Sequence, residues 1–195
     1  MDLLVFEVSR LGTWEFIRFF GLLAYFFFTL SIVFGMIQQM ARKKTLKPLC
    51  FHIHMTSSWA GLFSVLVHML LLLIDQYEPF AIPEILIPFL ASYEPFLSGM
   101  GTLAFFLVLA VMITSDLVRE KLKRSVWKKI HGLVFPAWLL MLAHGFFIGT
   151  DSANLFISLF YSLSFVIVPA LFAYKKFASA VPANNNALPN RKTDG

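Results

Sequence analysis

Long apolar runs with few charges alternate with short polar segments along the chain. About 20 largely apolar residues are needed for a helix to cross roughly 30 Å of hydrocarbon. Five runs reach this length, and they cover residues 14–40, 51–74, 97–115, 130–149 and 155–174. We therefore predict an all-α fold, an integral membrane bundle of five transmembrane helices.

The segment between the second and third runs, residues 76–96, has a different pattern. It contains four prolines and three glutamates, and its apolar part, residues 82–91, is too short to span a bilayer. We predict a loop with room for one interfacial turn, in preference to a re-entrant segment.

Charged residues separate onto two sides of the predicted bundle. Basic clusters follow the first, third and fifth runs, and acidic residues occupy the other loops. The basic residues are Arg42, Lys43, Lys44, Lys47, Arg119, Lys121, Lys123, Arg124, Lys128, Lys129, Lys175 and Lys176. The positive-inside rule then places the N-terminus outside and the C-terminus in the cytoplasm. Arg18, near the start of the first run, is expected to snorkel to the interface.

Composition supports the membrane assignment, since 58% of the residues are hydrophobic and only 14% are charged. Soluble domains average about 45–50% apolar residues and about 25% charged residues. We expect one domain over residues 1–177, without a cleaved signal peptide, and a disordered polar tail over 178–195. Nucleic-acid binding is not indicated, because the sequence has no basic patch interleaved with exposed aromatic residues. The single cysteine, Cys50, excludes an intrachain disulfide, a multi-cysteine zinc site and c-type haem attachment.

Four histidines lie within two of the apolar runs. His54 and His68 are fourteen residues apart in the second run, and His131 and His144 are thirteen apart in the fourth. Both runs lead from the cytoplasm outwards, so the helices are parallel and the spacings correspond to roughly 20 Å of depth. His54 can therefore face His131 near the cytoplasm, and His68 can face His144 nearer the outside. Each pair suits the iron of a flat, apolar macrocycle.

The angular positions of the histidines around an ideal helix agree with this arrangement in the second run and conflict with it in the fourth. His54 and His68 fall within about 40° of one another around an ideal helix, whereas His131 and His144 lie about 140° apart. Pro136 lies between the latter two. A proline kink, a local π-turn, or a position of His131 before the regular helix are alternative solutions.

Other interpretations of the histidines remain open. A lone histidine in a membrane span more often packs or hydrogen bonds than binds a cofactor. Metal transport would favour carboxylates or thiolates beside the imidazoles, and none lies at mid-depth in these runs. A haem-based redox sensor or assembly factor, and a histidine-lined metal or proton transporter, are the alternative functions. His52 competes with His54 as the inner ligand.

The residues around the histidines resemble the ferric reductase-like transmembrane domain over residues 51–151. This superfamily includes ferric reductases, NADPH oxidases and the haem-binding membrane subunit of the periplasmic methionine sulfoxide reductase system. The similarity lies in His54-Met-Thr-Ser-Ser-Trp59, Leu62 and His68, and in Trp127-Lys-Lys-Ile-His131 with His144-Gly145.

The resemblance implies a cytochrome b subunit in a cell membrane, such as the bacterial inner membrane. His54 and His131 would ligate the iron of an inner haem b, and His68 and His144 that of an outer one. Two haems are expected, or one if a single pair is filled. Electrons would pass from the cytoplasmic side to an outer acceptor.

The chain departs from its relatives after Tyr174, where about twenty residues follow in place of a flavin and nicotinamide domain. Most relatives also have a sixth span. We therefore expect an electron-transfer oxidoreductase subunit that needs a separate donor, either a cytoplasmic flavin reductase or membrane quinol.

Two further sets of residues are candidates for contact with the haems. Lys128, Lys129, Arg42 and Lys43 could pair with inner haem carboxylates, although the positive-inside rule alone explains them. Trp59 lies between the two predicted haem depths, where plain packing is expected. The acidic outer loop could attract a cationic acceptor.

Overall fold

The computed structural model describes residues 12–76 and 78–180, and within them the fold is all-α, as predicted. Two 3-10 turns, Arg119–Lys121 and Thr150–Ala153, connect helices. The α-helices of the described part are α1 (Thr13–Met40), α2 (Leu46–Ile74), α3 (Ile82–Leu86), α4 (Pro95–Asp116), α5 (Arg124–His131), α6 (Val134–Ile148) and α7 (Leu155–Ala180).

Five spans have the length and hydropathy to cross a membrane, which confirms the predicted number. They are α1, α2, α4, α7 over Leu155–Phe177, and α5 with α6 taken together over Arg124–Ile148. Helix α2 begins five residues before the predicted start, because Pro48 lies in its first turn, where no backbone N–H is needed. Helix α7 extends six residues past the predicted end, and the rest of the predicted tail lies outside the described residues.

The outer segment between α2 and α4 is a loop with one short helix, α3, in agreement with the predicted loop. Glu84 fastens it: its carboxylate accepts hydrogen bonds from the Ala81 N–H (2.8 Å), the Ser92 N–H (2.8 Å) and the Ser92 hydroxyl (2.6 Å). These bonds, that of the Ser92 hydroxyl foremost, lower the pKa of Glu84. Glu84 therefore holds the loop closed as a carboxylate.

The bundle consists of two antiparallel hairpins, α1 with α2 and α4 with α6, joined mainly through α1. Helix α1 also packs on α6 and α7, around a core that includes Tyr25, Met36, Trp138 and Tyr161. The indole N–H of Trp138 donates to Thr29 Oγ1 at 2.9 Å across this contact. Internal hydrogen bonds of this kind satisfy polar groups that would otherwise face hydrocarbon.

Many large apolar side chains of the spans point outwards, as expected for a surface in contact with lipid. Trp59 belongs to this surface, with 52% of its area exposed. The expectation that Trp59 packs between the histidine depths is therefore wrong, because its position on α2 directs it away from α6.

Candidate functional site

The four intramembrane histidines form two facing pairs. The ring centres of His54 and His131 are 6.2 Å apart, and those of His68 and His144 are 6.4 Å apart. The rings within each pair are steeply inclined, at 67° and 84°. The structure thus brings together the two pairs that depth and spacing indicate.

A gap lies between the helices that carry these pairs. Helix α2 packs against α1, and α6 packs against α4, whereas the backbones of α2 and α6 hardly approach one another. A cavity of about 180 Å³ lies at the outer end and is lined by His68 and His144 together with apolar side chains such as Phe28 and Met141. The histidines therefore face each other across space that the protein backbone does not fill.

The second ring nitrogen of each histidine is engaged by a neighbouring helix. Three Nδ1 atoms lie within hydrogen-bond distance of a backbone carbonyl: His54 of Ser31 (2.9 Å), His68 of Ile17 (2.8 Å) and His144 of Leu97 (2.9 Å). A carbonyl oxygen only accepts, so Nδ1 carries the proton and the lone pair is on Nε2. Metal-bound histidines in proteins are held in this way.

A glycine lies four residues after each of these three carbonyls, on the same face of its helix. A Cβ built on Gly35, Gly21 or Gly101 would lie 3.0, 3.2 or 3.0 Å from Nδ1 of the facing histidine. Those distances are shorter than ordinary van der Waals contact, so a side chain there would push the ring off its carbonyl. The absence of a side chain is what lets each imidazole reach the backbone.

These glycines were missed by the sequence reasoning, although a signal for them exists. Gly21 and Gly35 are fourteen residues apart in α1, the same separation as His54 and His68 in α2. In an antiparallel hairpin, equal spacing brings each glycine opposite one histidine. The second hairpin does not follow this rule, since its histidines are thirteen residues apart, but Gly101 lies opposite His144.

His54 has an additional hydroxyl network. The Ser58 hydroxyl donates to the His54 carbonyl at 2.8 Å, and the Ser31 and Ser58 oxygens are 2.7 Å apart. Since the Ser58 proton is already committed, the Ser31 hydroxyl donates to Ser58 and accepts from His54 Nδ1 at 2.8 Å. The inner histidine of α2 is thereby fixed by both the carbonyl and the hydroxyl of Ser31.

His131 is held by different groups. Its Nδ1 lies 3.2 Å from Ser115 Oγ, and the indole N–H of Trp127 donates to the same oxygen at 3.2 Å. The Trp127 ring stacks on His131 with centres 4.9 Å apart and planes inclined by 28°. The Arg119 guanidinium lies over the Trp127 ring, 4.4 Å from its centre. Neither Ser115 nor Arg119 was identified from the sequence as part of a site.

A break in the helix places His131 in phase with His144. Helix α5 ends at His131 and α6 begins at Val134, with tightened hydrogen bonds from Leu133 N–H to the Ile130 carbonyl (2.9 Å) and from Phe135 N–H to Gly132 (3.2 Å). Such turns advance about 120° per residue in place of 100°, which reduces the 140° discrepancy. The break lies one turn before Pro136, whose missing N–H and ring disfavour a continuous helix there.

The outer mouth of the cavity contains an ion pair. Arg18 Nη1 lies 2.9 Å from Asp151 Oδ1 and donates to Thr150 Oγ1 at 2.8 Å. Its Nε is buried and has no hydrogen-bond partner among the described residues, and the side chain lines the cavity. Arg18, which is expected to snorkel to the interface, therefore reaches the loop after α6 and is paired there with Asp151.

The remaining candidates lie at the end of the bundle that bears the basic loops. His52 is exposed and contacts the ring of its neighbour Phe51, so its side chain is not part of the inner pair. The predicted basic candidates Lys128, Lys129, Arg42 and Lys43 are also exposed. Lys175 of α7, which the sequence reasoning did not single out for a site, is half-buried and interacts electrostatically with His131.

The donor set excludes a conventional bare-metal site in the described part of the chain. No group of three or more histidine, cysteine, aspartate or glutamate side chains converges within residues 12–76 and 78–180. Zinc and similar ions take three or four protein ligands. Pairs of imidazoles suit a metal whose other ligands come from a macrocycle.

An all-helical membrane bundle with two stacked pairs of facing histidines defines the class as an integral membrane protein with paired intramembrane imidazoles. Residues 20–142, well over half of the chain, match the family described as the ferric reductase like transmembrane component. The chain belongs to this family, as the resemblance predicted. The match includes residues 20–40 of α1, with Gly21 and Gly35, and stops two residues before His144. Comparisons with curated proteins and with solved structures give no match.

Proposed function

We propose that the chain is the cytochrome b subunit of a transmembrane electron-transfer system, with one haem b at each histidine pair. The observation that carries this proposal is the orientation of the two facing pairs, with Nδ1 of each histidine engaged by a neighbouring helix and the lone pair on Nε2 at His54, His68 and His144. Family membership supports it, since a ferric reductase-like transmembrane domain is an electron-transfer module.

The separation of the rings fits a shared metal. Metal–imidazole bonds are about 2 Å long, so two such bonds in line, with the half-widths of the rings, place the ring centres about 6 Å apart. The observed 6.2 and 6.4 Å agree with that separation. A directly packed or hydrogen-bonded pair of histidines would not require the same separation twice.

The chain's own residues would hold each haem in distinct ways. His54 and His131 would ligate the inner iron, and His68 and His144 the outer iron. Haem iron, when bound, supplies one-electron redox chemistry that no protein side chain here provides. The unpartnered Nε of Arg18 fits a haem carboxylate at the outer site, and the half-buried Lys175 is a candidate cation for the inner site.

The charge pattern supports a direction for electron flow. With the basic loops in the cytoplasm, the inner pair lies nearest a donor, either a separate flavin reductase or membrane quinol, and the outer pair lies nearest an external acceptor. The chain would then act as an oxidoreductase subunit in a cell membrane. Closure of the outer loop by Glu84 favours a structural role for that carboxylate over capture of a cationic acceptor.

The test is a reduced-minus-oxidised visible spectrum of the detergent-purified chain, with pyridine haemochrome quantification. We expect two haems b per chain with low-spin, six-coordinate bands. His54→Ala and His68→Ala should each remove one haem, whereas His52→Ala, the exposed neighbour, should remove none. A chain without haem, purified from cells with ample haem, would contradict the proposal and favour metal or proton transport.

A further inference from the structure

Three of the four candidate histidine ligands have the same kind of hydrogen-bond partner at Nδ1, and the fourth has a different one. His54, His68 and His144 lie within helices and donate from Nδ1 to a backbone carbonyl, next to a glycine. His131 is the last residue of α5, and its Nδ1 partner is a hydroxyl oxygen. This asymmetry lies entirely at the inner pair.

Ser115, which faces His131, lies at a position in α4 that corresponds to the glycine positions facing the other histidines. Ser115 lies fourteen residues after Gly101 in α4, at the position where the first hairpin has its second glycine. Its side chain occupies the space that a glycine would leave open. The hydroxyl oxygen has thus replaced the helix carbonyl as the group that faces the inner histidine.

Ser115 Oγ receives two N–H groups at once. The indole of Trp127 only donates, so this oxygen accepts from Trp127 at 3.2 Å. For Nε2 of His131 to be free, the same oxygen must also accept from His131 Nδ1, at 3.2 Å. The three carbonyl bonds measure 2.8 to 2.9 Å, so the bond at His131 is the longest, and its acceptor is a side-chain hydroxyl that an indole N–H also approaches, in place of a backbone carbonyl.

The aromatic stack fixes the ring where the helix does not. Trp127 precedes His131 by four residues, one helical turn, and lies parallel to it. Arg119 from the preceding 3-10 turn lies over the indole of Trp127 at a distance typical of a cation–π contact. Trp127 therefore contacts both Arg119 and His131 beside the inner pair.

We infer that Ser115 and Trp127 are positioning residues with opposite effects on electron donation from His131, which Ser115 strengthens and Trp127 weakens, and that together they set the potential of the inner haem apart from that of the outer haem. This inference rests on the proposed function. A strong acceptor at Nδ1 raises the basicity of a ligating imidazole. Ser115 supplies that acceptor, and Trp127 competes for it through its own N–H.

The two residues should therefore shift the inner potential in opposite directions. Ser115→Ala removes the acceptor, so the inner potential should rise and the affinity for the inner haem should fall about 10- to 100-fold. Trp127→Phe retains an aromatic ring on His131 but removes the competing N–H, so the inner potential should fall while both haems stay bound. The outer haem should be unaffected in both variants.

The measurement is a spectroelectrochemical redox titration of the full-length chain, repeated in a His68→Ala background that isolates the inner haem. Trp59→Phe, which alters an exposed tryptophan of α2, is the matched control and should change neither potential. Shifts of opposite sign at the inner haem support the inference, because a merely structural role would move both variants in the same direction.

Two results would overturn the inference. If both haems bind and the inner potential is unchanged, or shifts the same way in both variants, this inference is wrong and the proposed function stands. If the unaltered chain binds no haem, both are wrong.

Discussion

The approach of each imidazole to the backbone depends on a single missing side chain. Gly21, Gly35 and Gly101 leave a helix carbonyl uncovered, and a histidine from the neighbouring helix occupies that opening. Within an α-helix this carbonyl also accepts the N–H of the glycine itself. Each glycine is therefore both the ordinary helical partner of the carbonyl and the reason that a second donor can reach it.

Valine at these positions should disable one pair at a time. In Gly35→Val the new side chain displaces His54, whose Nδ1 would lie 3.0 Å from the added Cβ. In Gly21→Val the same happens to His68, at 3.2 Å. Each variant should retain about one haem of two, since loss of such outer-shell support costs about 10- to 100-fold in affinity.

The two glycine variants serve as controls for one another. Redox titration identifies which haem remains, and the remaining haem should differ between Gly35→Val and Gly21→Val. Loss of both haems from either variant would indicate general misfolding and would contradict a local role for the glycine.

At the scale of elements, the interruption between α5 and α6 determines whether the inner pair forms. Residues 131–144 in one continuous helix would leave the two histidines about 140° apart. Gly132 and Pro136 are the two poorest helix formers of this stretch, at about 1 and about 3 kcal/mol less favourable than alanine in a helix interior. They favour the tightened turns that bring His131 round towards His54.

Alanine at both positions should therefore straighten the segment and separate the inner pair. We expect the double variant Gly132→Ala with Pro136→Ala to insert normally, to lose the inner haem and to retain the outer one. The measurement is haem per chain together with the low-spin signal. Pro169→Ala in α7, a proline within a helix that carries no histidine, is the control and should retain two haems.

At the scale of the whole molecule, the two hairpins form an internal repeat. In each hairpin, the first helix supplies two acceptors, fourteen residues apart in α1 (Ile17 and Ser31) and eighteen apart in α4 (Leu97 and Ser115). The returning span, α2 or α5 with α6, supplies two histidines. The direction of both hairpins is the same, so each contributes one histidine to each pair. Two histidine pairs at two depths therefore result from one hairpin arrangement that occurs twice in the bundle.

The direction of this assembly in the membrane is predicted from charge alone. In a chain with Cys50→Ala, we expect a membrane-impermeant maleimide to label Gln76→Cys in intact cells, because this exposed residue follows α2 on the outer side. Ser125→Cys, exposed at the start of α5, should be labelled only after lysis. The reverse pattern would invert the orientation and the proposed direction of electron flow.

The sequence by itself determined the class of fold, the number of spans and the four histidines. Each of these depends on local properties: apolar runs of about 20 residues predict spans, and spacing along a helix predicts relative depth. The outer loop was predicted for the same reason, since proline and a short apolar run are local signals. The family resemblance rested on the same residues and is confirmed by the match over residues 20–142.

Only the tertiary structure decided what surrounds the histidines. Nothing local shows that Ile17 or Leu97 offers a carbonyl, because every residue of a helix has one and the approach of another helix selects it. The fixed position of Arg18 depends on Asp151, which lies far along the chain. The support of His131 by Ser115 and Trp127 likewise requires α4 and α5 to meet, and a helical phase computed for a straight helix cannot anticipate that contact.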